Sequence, residues 1–174
     1  MTEQLKYEVV KRFPDFEIRR YQDYSLVRVQ TTGEFKQASF NGFYPLLKYI
    51  SGGNQLETKI AMTAPVLQEP KNTNEHVISF VLPESVSPQS VPAPKDDKLE
   101  IRLIPSHDVA AIKFRGSWSA ESMQEKGKKL VTALAREKVE TKGSVYYARF
   151  DPPWKPPFIR HNEALIDLKS SFEN

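Results

Sequence analysis

Two short runs in this chain combine residue types that could form a ligand site. One is Lys59-Ile-Ala-Met-Thr-Ala-Pro-Val66, and the other is Asp151-Pro-Pro-Trp-Lys-Pro-Pro157. Each mixes apolar, small and proline residues with a lysine, and neither resembles a catalytic motif. This composition suits the wall of an apolar pocket with a cationic rim. Such a pocket would accept a flat, amphipathic ligand that carries carboxylates.

Composition and charge exclude several classes of site. The chain has 174 residues, of which 39% are hydrophobic and 27% charged, as in an ordinary folded domain. It has no cysteine, which excludes disulfides, thiolate metal sites, a cysteine nucleophile and thioether attachment of a cofactor. The net charge is +3, from 25 basic and 22 acidic residues, which is too balanced to predict a nucleic-acid partner. The basic cluster Lys126, Lys128 and Lys129 is typical of a solvated helix face.

The sequence also predicts where the protein works and what it does not do. No run approaches eighteen apolar residues, so no membrane span is expected. The polar start, Met1–Lys6, carries no signal peptide, and we expect a cytoplasmic protein. The motifs G-x-S-x-G, H-E-x-x-H and G-x-x-x-x-G-K-[ST] do not occur, so the sequence does not predict an enzyme.

Hydrophobic periodicity predicts one order of elements, strand–strand–helix–strand–strand, in each half of the chain. In the first half we expect strands at residues 16–21, 24–29, 60–68 and 76–82, with a helix at 35–50. In the second half we expect strands at residues 99–104, 108–114, 143–150 and 162–168, with a helix at about 119–138. Tyr7–Val10 is β-prone, and the proline-rich segment 83–97 is predicted to be an extended connector.

The two halves also share residues at an offset of 83. Glu17-Ile18-Arg19 falls on Glu100-Ile101-Arg102, and Gly33 falls on Gly116. The matching element order favours an internal duplication. We therefore predict one α+β domain over residues 1–174, with half-repeats at about 7–82 and 99–168. Its natural closure is a curved sheet or distorted barrel of about eight strands with two helices.

The first predicted helix is apolar over a wider arc than packing on one sheet requires. Its apolar residues cover about 240° of the helical wheel, whereas a single sheet needs little more than about 100°. The surplus flank is Phe40, Tyr44 and Leu47, with Lys48 beside it. Loops could cover this flank, or Pro45 could kink the helix. Otherwise the flank is an exposed apolar patch that binds something flat.

Three motifs, taken in order, resemble the SOUL/haem-binding protein family. They are Phe43-Tyr-Pro-Leu-Leu-Lys-Tyr-Ile-Ser-Gly-Gly-Asn54, Lys59–Val66 and Tyr146-Tyr-Ala-Arg-Phe-Asp-Pro-Pro-Trp-Lys-Pro-Pro157. The resemblance runs from about Tyr7 to Leu168. It implies a distorted, antiparallel eight-stranded β-barrel with two helices and a pseudo-twofold repeat. It also implies non-covalent binding of haem b or another tetrapyrrole, against the first helix and the loop before the last strand.

The resemblance also assigns candidate site residues. Lys48 and Lys155 stand where the family places basic residues near the porphyrin propionates, although Lys155 could also be a solvated loop lysine. Two carboxylates at a pocket rim favour two cations. The macrocycle would then pack on Phe40, Tyr44 and Leu47. Trp154 either stacks on the ring edge or anchors its loop.

One position departs from the family's pattern and suggests an iron ligand. Where the family often has Arg-Arg-Asn-Glu, this chain has Arg160-His161-Asn162-Glu163. A neutral imidazole suits haem iron, so His161 is a candidate axial ligand, although a lone exposed histidine usually has no such role.

The sequence therefore predicts a soluble haem or tetrapyrrole carrier or buffer. One alternative is a module that binds another amphipathic ligand, or a helix of a protein partner, in the same groove. A tetrapyrrole-modifying enzyme is the other.

Overall fold

The computed structural model describes residues 2–173 and divides into two compact units. The first unit contains the residues up to Leu5 and Asp23–Pro105, and the second contains Lys6–Gln22 and the residues from Ser106 onward. The helices are α1 (Phe35–Ile50) and α2 (Ala120–Arg136). The strands are β1 (Glu3–Gln4), β2 (Glu8–Arg12), β3 (Glu17–Tyr21), β4 (Tyr24–Thr32), β5 (Thr63–Ala64), β6 (Val66–Pro70), β7 (Glu75–Val81), β8 (Leu99–Ile104), β9 (His107–Phe114), β10 (Thr141–Arg149) and β11 (Asn162–Leu168).

The first unit is an antiparallel run of strands with α1 packed on it. The strand order is β6-β7-β4-β8, and α1 contacts β4 and β7. Val29 of β4 stands opposite Ile78 on one side and Leu99 on the other, and all three side chains are buried. Leu46 and Tyr49 of α1 complete this core. The short strands β1 and β5 pair separately, in parallel.

The inner face of α1 is a regular stripe of buried residues. Phe35, Ala38, Gly42, Leu46 and Tyr49 follow the three- and four-residue spacing of one helix face. The helix remains unbroken from Phe35 to Ile50 even though Pro45 lies inside it. The expected position of the first helix is therefore confirmed.

The helix ends in a loop that its own polar groups hold. The φ angle of Gly52 is +114°, in the region that favours glycine. The buried Asn54 then donates from Nδ2 to the carbonyl oxygens of Tyr49 and Thr58, at 3.0 and 2.8 Å. The Ser51-Gly-Gly-Asn54 part of the first motif is therefore a structural end to α1.

The second unit repeats this arrangement with one further strand. Its order is β2-β3-β9-β11-β10, all antiparallel, and α2 contacts β9, β10 and β11. Ser119 caps α2, because its Oγ accepts the backbone N–H of Ser122 at 3.1 Å. The buried stripe of α2 contains Met123, Gly127, Leu130 and Leu134, as its periodicity predicts.

The predicted α+β class with two helices and antiparallel strands is confirmed, whereas the closed barrel is not. Nine strands pair antiparallel in the two units, against about eight expected, and the additional one is β2. In neither unit does the strand order return to its first strand, so β2 and β8 each have a neighbour on one side only. Closure needs every strand to have two neighbours.

Each unit also draws one strand from the other half of the sequence. β3 pairs with β9 in the second unit, and β8 pairs with β4 in the first. With these exchanges the orders β6-β7-β4-β8 and β10-β11-β9-β3 correspond strand by strand, and the offset of 83 holds for β3 with β8 and for β4 with β9. The internal duplication and the half-repeat boundaries stay predictions. Within residues 2–173, no helix is long and apolar enough to cross a membrane.

Gly42 provides a test of how closely α1 packs on its strands. A Cβ at this position would lie 2.5 Å from Ile78 Cγ1 and 3.1 Å from Thr31 Cγ2. We expect Gly42→Ala to lower the free energy of unfolding by about 1–3 kcal/mol, because overpacking outweighs the gain in helix propensity. Urea denaturation measures this, with the exposed Lys36→Ala on the same helix as the control. An unchanged or higher stability would contradict the close approach.

Candidate functional site

The outer face of α1 carries an exposed apolar patch. Phe40, Tyr44 and Leu47 are 50%, 71% and 38% exposed, and Lys48 is exposed next to them. Positions 40, 44, 47 and 48 share one helical stripe, so the four side chains leave the helix on the same side. Phe43, by contrast, is half-buried and packs edge-on against Phe80, with 5.3 Å between the ring centroids. The structure therefore brings these four predicted residues together, and we call them the α1 patch.

Lys48 is the cation of the α1 patch. In the part of the chain that the structure describes, no carboxylate forms an ion pair with it. It lies in the last turn of α1, where a positive charge is favourable. Its ammonium group is therefore available to an anionic group of a ligand that lies on the patch.

The run Lys59–Val66 contributes less exposed surface than its composition suggests. Ile60, Thr63 and Ala64 are buried, and Met62 and Val66 pack against the core of the first unit. The backbone N–H of Ile60 donates to the carbonyl of Ile50 at 2.8 Å, which ties the run to the end of α1. Most of the apolar side chains of this motif therefore support α1 from within.

The second predicted group lies in residues 150–161 of the second unit, which we call the proline loop. Asp151 and Arg160 hold the loop through side-chain contacts. Asp151 accepts the Lys155 ammonium at 2.7 Å and the backbone N–H of His161. Arg160 donates from Nε to the carbonyl of Lys155 at 2.8 Å and from Nη2 to that of Pro153 at 2.7 Å. These bonds fix the loop where prolines leave few backbone donors.

Trp154 and Lys155 differ in their surroundings within the proline loop. Trp154 is 84% exposed, so the loop is held by Asp151 and Arg160 and not by this indole. Lys155 is partly exposed and already paired with Asp151. Burial opposes the ionisation of Asp151, but Lys155 and the His161 N–H outweigh it and hold the pKa of Asp151 below its usual value. A ligand carboxylate at Lys155 would compete with this partner.

His161, the predicted axial ligand, is also engaged. Its Nε2 lies 2.8 Å from Glu163 Oε2, and its ring stacks on Phe150 with 4.1 Å between centroids. A bond from Nε2 to iron would displace Glu163, so Nδ1 is the nitrogen that fits a metal. Within residues 2–173 no group of three or more His, Asp or Glu residues could hold a metal ion. The axial role of His161 stays a prediction.

Arg19 and Glu163 were not predicted, yet they form the polar centre beneath the proline loop. Arg19 is fully buried, and its Nη1 and Nη2 donate to the two oxygens of Glu163 at 2.6 and 2.9 Å. Burial raises the pKa of Glu163, but the contacts with His161 and Arg19 outweigh it, so the pKa of Glu163 lies below its usual value. The sequence held one signal, since His161 and Glu163 stand two residues apart and so share one side of an extended chain.

Trp118 forms a second unpredicted feature close to the proline loop. Arg160 and Arg149 place their guanidinium carbons 4.2 and 5.3 Å from its ring centroid. Its Nε1 donates to Asn162 Oδ1 at 2.8 Å. Burial, and then repulsion from Arg160, lowers the pKa of Arg149 to about 10. The base of the proline loop is therefore rich in positive charge.

The buried Arg19–Glu163 pair predicts a pH-dependent stability. Because the folded pKa of Glu163 is depressed, its contribution is present above the unfolded pKa of about 4.3 and is lost as pH falls through the folded pKa. Glu163→Gln should lower the free energy of unfolding at pH 7 by about 3 kcal/mol, because the buried Arg19 loses its two-bond carboxylate partner and keeps Glu17, with a single bond, as its remaining carboxylate contact.

Chemical denaturation of wild type and Glu163→Gln between pH 7 and pH 3 measures this difference. We expect the gap in free energy of unfolding to begin to narrow below about pH 4.3, where the Glu163 carboxyl of the unfolded chain takes up a proton, and to narrow further as pH falls through the lower folded pKa. The exposed Asp97→Asn is the control for general charge effects. A gap that stays constant down to pH 3 would mean that the charge of Glu163 contributes nothing.

Comparisons with known proteins agree on the fold and on one family. Residues 2–167 match the model of the SOUL heme-binding protein family. Heme-binding protein 1 of Xenopus laevis is 28% identical over 156 residues, which cover 85% of this chain and 80% of that protein. Its counterpart in Xenopus tropicalis is 27% identical over 154 residues, with the same shares of both chains.

Two solved structures are similar at much lower identity and bear on the fold alone. The C-terminal domain of EcmrR has a TM-score of 0.68 at 8% identity, covering 94% of this chain and 98% of that chain. A hydrolase from Listeria innocua has a TM-score of 0.60 at 10% identity, covering 97% and 100%.

Proposed function

Since this chain belongs to the SOUL heme-binding protein family, we propose that it binds haem b or another tetrapyrrole non-covalently at the α1 patch. The observation that carries the proposal is the exposed stripe Phe40, Tyr44 and Leu47 beside Lys48, which forms no ion pair among residues 2–173. A flat apolar ring with carboxylates matches both parts of this surface. Ordinary helices of soluble domains turn charged residues outward at such positions.

The energetics of such a surface permit useful affinity without a bond to iron. Removing about 500 Å² of porphyrin surface from water contributes roughly 12 kcal/mol, at about 25 cal/mol per Å². Association costs at least several kcal/mol of this, which leaves micromolar or tighter binding within reach. The aromatic rings of Phe40 and Tyr44 add the contact geometry that a macrocycle favours.

Lys48 and Lys155, the two lysines predicted to meet ligand carboxylates, have different surroundings. Lys48 is exposed and has no carboxylate partner among residues 2–173, whereas Lys155 is held by Asp151 at 2.7 Å. A propionate at Lys48 gains a new ion pair, while a propionate at Lys155 must exchange with Asp151. Lys48 is therefore the stronger anchor in this proposal, and the exposed Trp154 indole stays a candidate stacking surface on the proline loop.

We infer a carrier or buffer role and no catalysis. An open helix face lets a ligand enter and leave without the enclosure that reactive intermediates require. When bound, haem would supply an iron centre, and His161 could offer Nδ1 to it. The same open face suits another amphipathic ligand or a protein helix, which would compete with haem for the α1 patch.

Titration of the purified protein with hemin, followed at the Soret band, tests the proposal. We expect a saturable one-to-one shift at micromolar concentration or below, with serum albumin as the comparator. Lys48→Glu should weaken binding about 5- to 10-fold, which corresponds to about 1–1.5 kcal/mol for a reversed surface pair. Lys155→Glu should weaken it less, because Asp151 already neutralises that lysine.

Matched charge reversals at other exposed lysines control these variants. Lys98→Glu lies in the loop before β8 and outside α1, and Lys142→Glu lies in the second unit. Both should leave hemin affinity within about twofold, as expected for screened surface charges. An unsaturating drift in wild type would overturn the tetrapyrrole proposal, and equal effects of Lys98→Glu and Lys48→Glu would overturn the rim assignment.

Ligation of iron by His161 makes a separate prediction. His161→Ala should weaken hemin binding and alter its Soret band, while the affinity for metal-free protoporphyrin IX stays the same. Parallel titrations with the two ligands measure the difference. Equal affinities of wild type and variant for hemin would remove His161 as the axial ligand and leave the α1 patch unaffected.

A further inference from the structure

A second apolar groove lies on α2, within the second unit. It is open to solvent and has a volume of about 450 Å³ between α2 and β10. On α2 it is lined by Gln124, Lys128 and Val131, which stand three or four residues apart on one helix face. On β10 it is lined by Val145 and Tyr147. Sites for small ligands typically measure about 300–1,000 Å³, so this groove has a suitable size.

A glycine lets the helix and the strand meet at the bottom of the groove. A Cβ on Gly127 would lie 2.8 Å from the Tyr147 hydroxyl oxygen and 3.1 Å from Val145 Cγ1. Gly127 belongs to the buried stripe of α2, and its lack of a side chain lets the helix approach β10 closely.

The irregular course of β10 forms the other wall. The register of β10 against β11 shifts between Lys142 and Tyr146, so several residues of β10 oppose a single residue of β11. Such a bulge redirects the side chains of a strand. Val145 lies in this bulge and is half-buried at the groove.

The groove combines apolar walls with one charge. Val131 is 46% exposed on a helix whose other exposed positions are mostly charged or polar. Lys128, one turn earlier, is exposed at the rim, and Gln124 adds an amide. Among the described residues that line the groove, none is acidic. An occupant with an apolar body and one negative charge is complementary to this surface.

We propose that the α2 groove binds an amphipathic organic anion of the medium-chain carboxylate class. The hydrocarbon chain lies on Val131, Val145 and the Tyr147 ring, and the carboxylate meets the Lys128 ammonium. Lys128 belongs to the basic cluster Lys126, Lys128 and Lys129, whose pattern is typical of a solvated helix face. In this proposal Lys128 is the member of the cluster that binds a ligand. This site shares no residue with the α1 patch, so it holds whether or not the chain binds tetrapyrroles.

Methyl NMR of the full chain, with decanoate as the probe, tests the proposal. We expect saturable shifts of the Val131 and Val145 methyl groups in protein that has no haem added. Lys128→Glu should weaken decanoate binding at least fivefold. The matched control is Lys129→Glu, an equally exposed neighbour that does not line the groove and should change the affinity by less than about twofold.

Other outcomes overturn the proposal. Shifts confined to Leu47 and its neighbours on α1 would assign the anion to the α1 patch. Equal weakening by Lys128→Glu and Lys129→Glu would mean that only the general charge of α2 attracts decanoate. Equal affinity for decanoate and for the neutral decanol would remove the role of Lys128, and no saturable shift at all would refute the site.

Discussion

The buried ion pair between Arg19 and Glu163 is the constraint on which the polar part of the second unit depends. Arg19 is fully buried, so every unmet donor of its guanidinium would carry a high desolvation cost. The guanidinium donates hydrogen bonds to Glu163, to Glu17 at 3.0 Å and to the Tyr21 hydroxyl at 3.0 Å. Its central carbon also lies 4.0 Å from the ring centroid of Tyr7. Such a pair adds little net stability over an apolar core, but it tolerates only one placement of its strands.

The Glu163 carboxylate also links the Arg19–Glu163 pair to the proline loop. Glu163 also meets His161, whose ring stacks on Phe150 and whose backbone N–H binds Asp151. Asp151 in turn holds Lys155. A continuous series of contacts thus runs from a buried pair to a loop lysine that the family places near ligand carboxylates. These contacts preorganise the loop and leave Lys155 paired with Asp151.

The two helices show different ways in which an α+β unit can leave apolar surface accessible. α1 buries one stripe of residues and exposes Phe40, Tyr44 and Leu47 on another, so its exposed apolar surface is convex. On α2 the buried Gly127 faces β10, and the exposed Val131 borders a groove between the helix and that strand. A projecting patch suits a flat ligand that covers it, whereas a groove suits a narrow chain.

Several features followed from the sequence by itself, because they depend on local periodicity. The helices, most strand positions and the exposed stripe of α1 are set by the spacing of apolar residues along a helix or strand. The absence of cysteine and the three motifs likewise indicated the class of site. Strand pairing did not follow from the sequence, because β3 pairs with β9 and β8 pairs with β4. Local periodicity does not indicate a partner strand that is distant in sequence.

Only the tertiary structure decided the partners of the charged groups. Asp151 next to Lys155, Glu163 next to His161, and the burial of Arg19 depend on which strands meet, so spacing along the chain does not reveal them. The sequence therefore determined which residues face outward and what class of ligand they suit. The fold determined which of those residues keep a free charge, because pairing and desolvation are properties of neighbours in space.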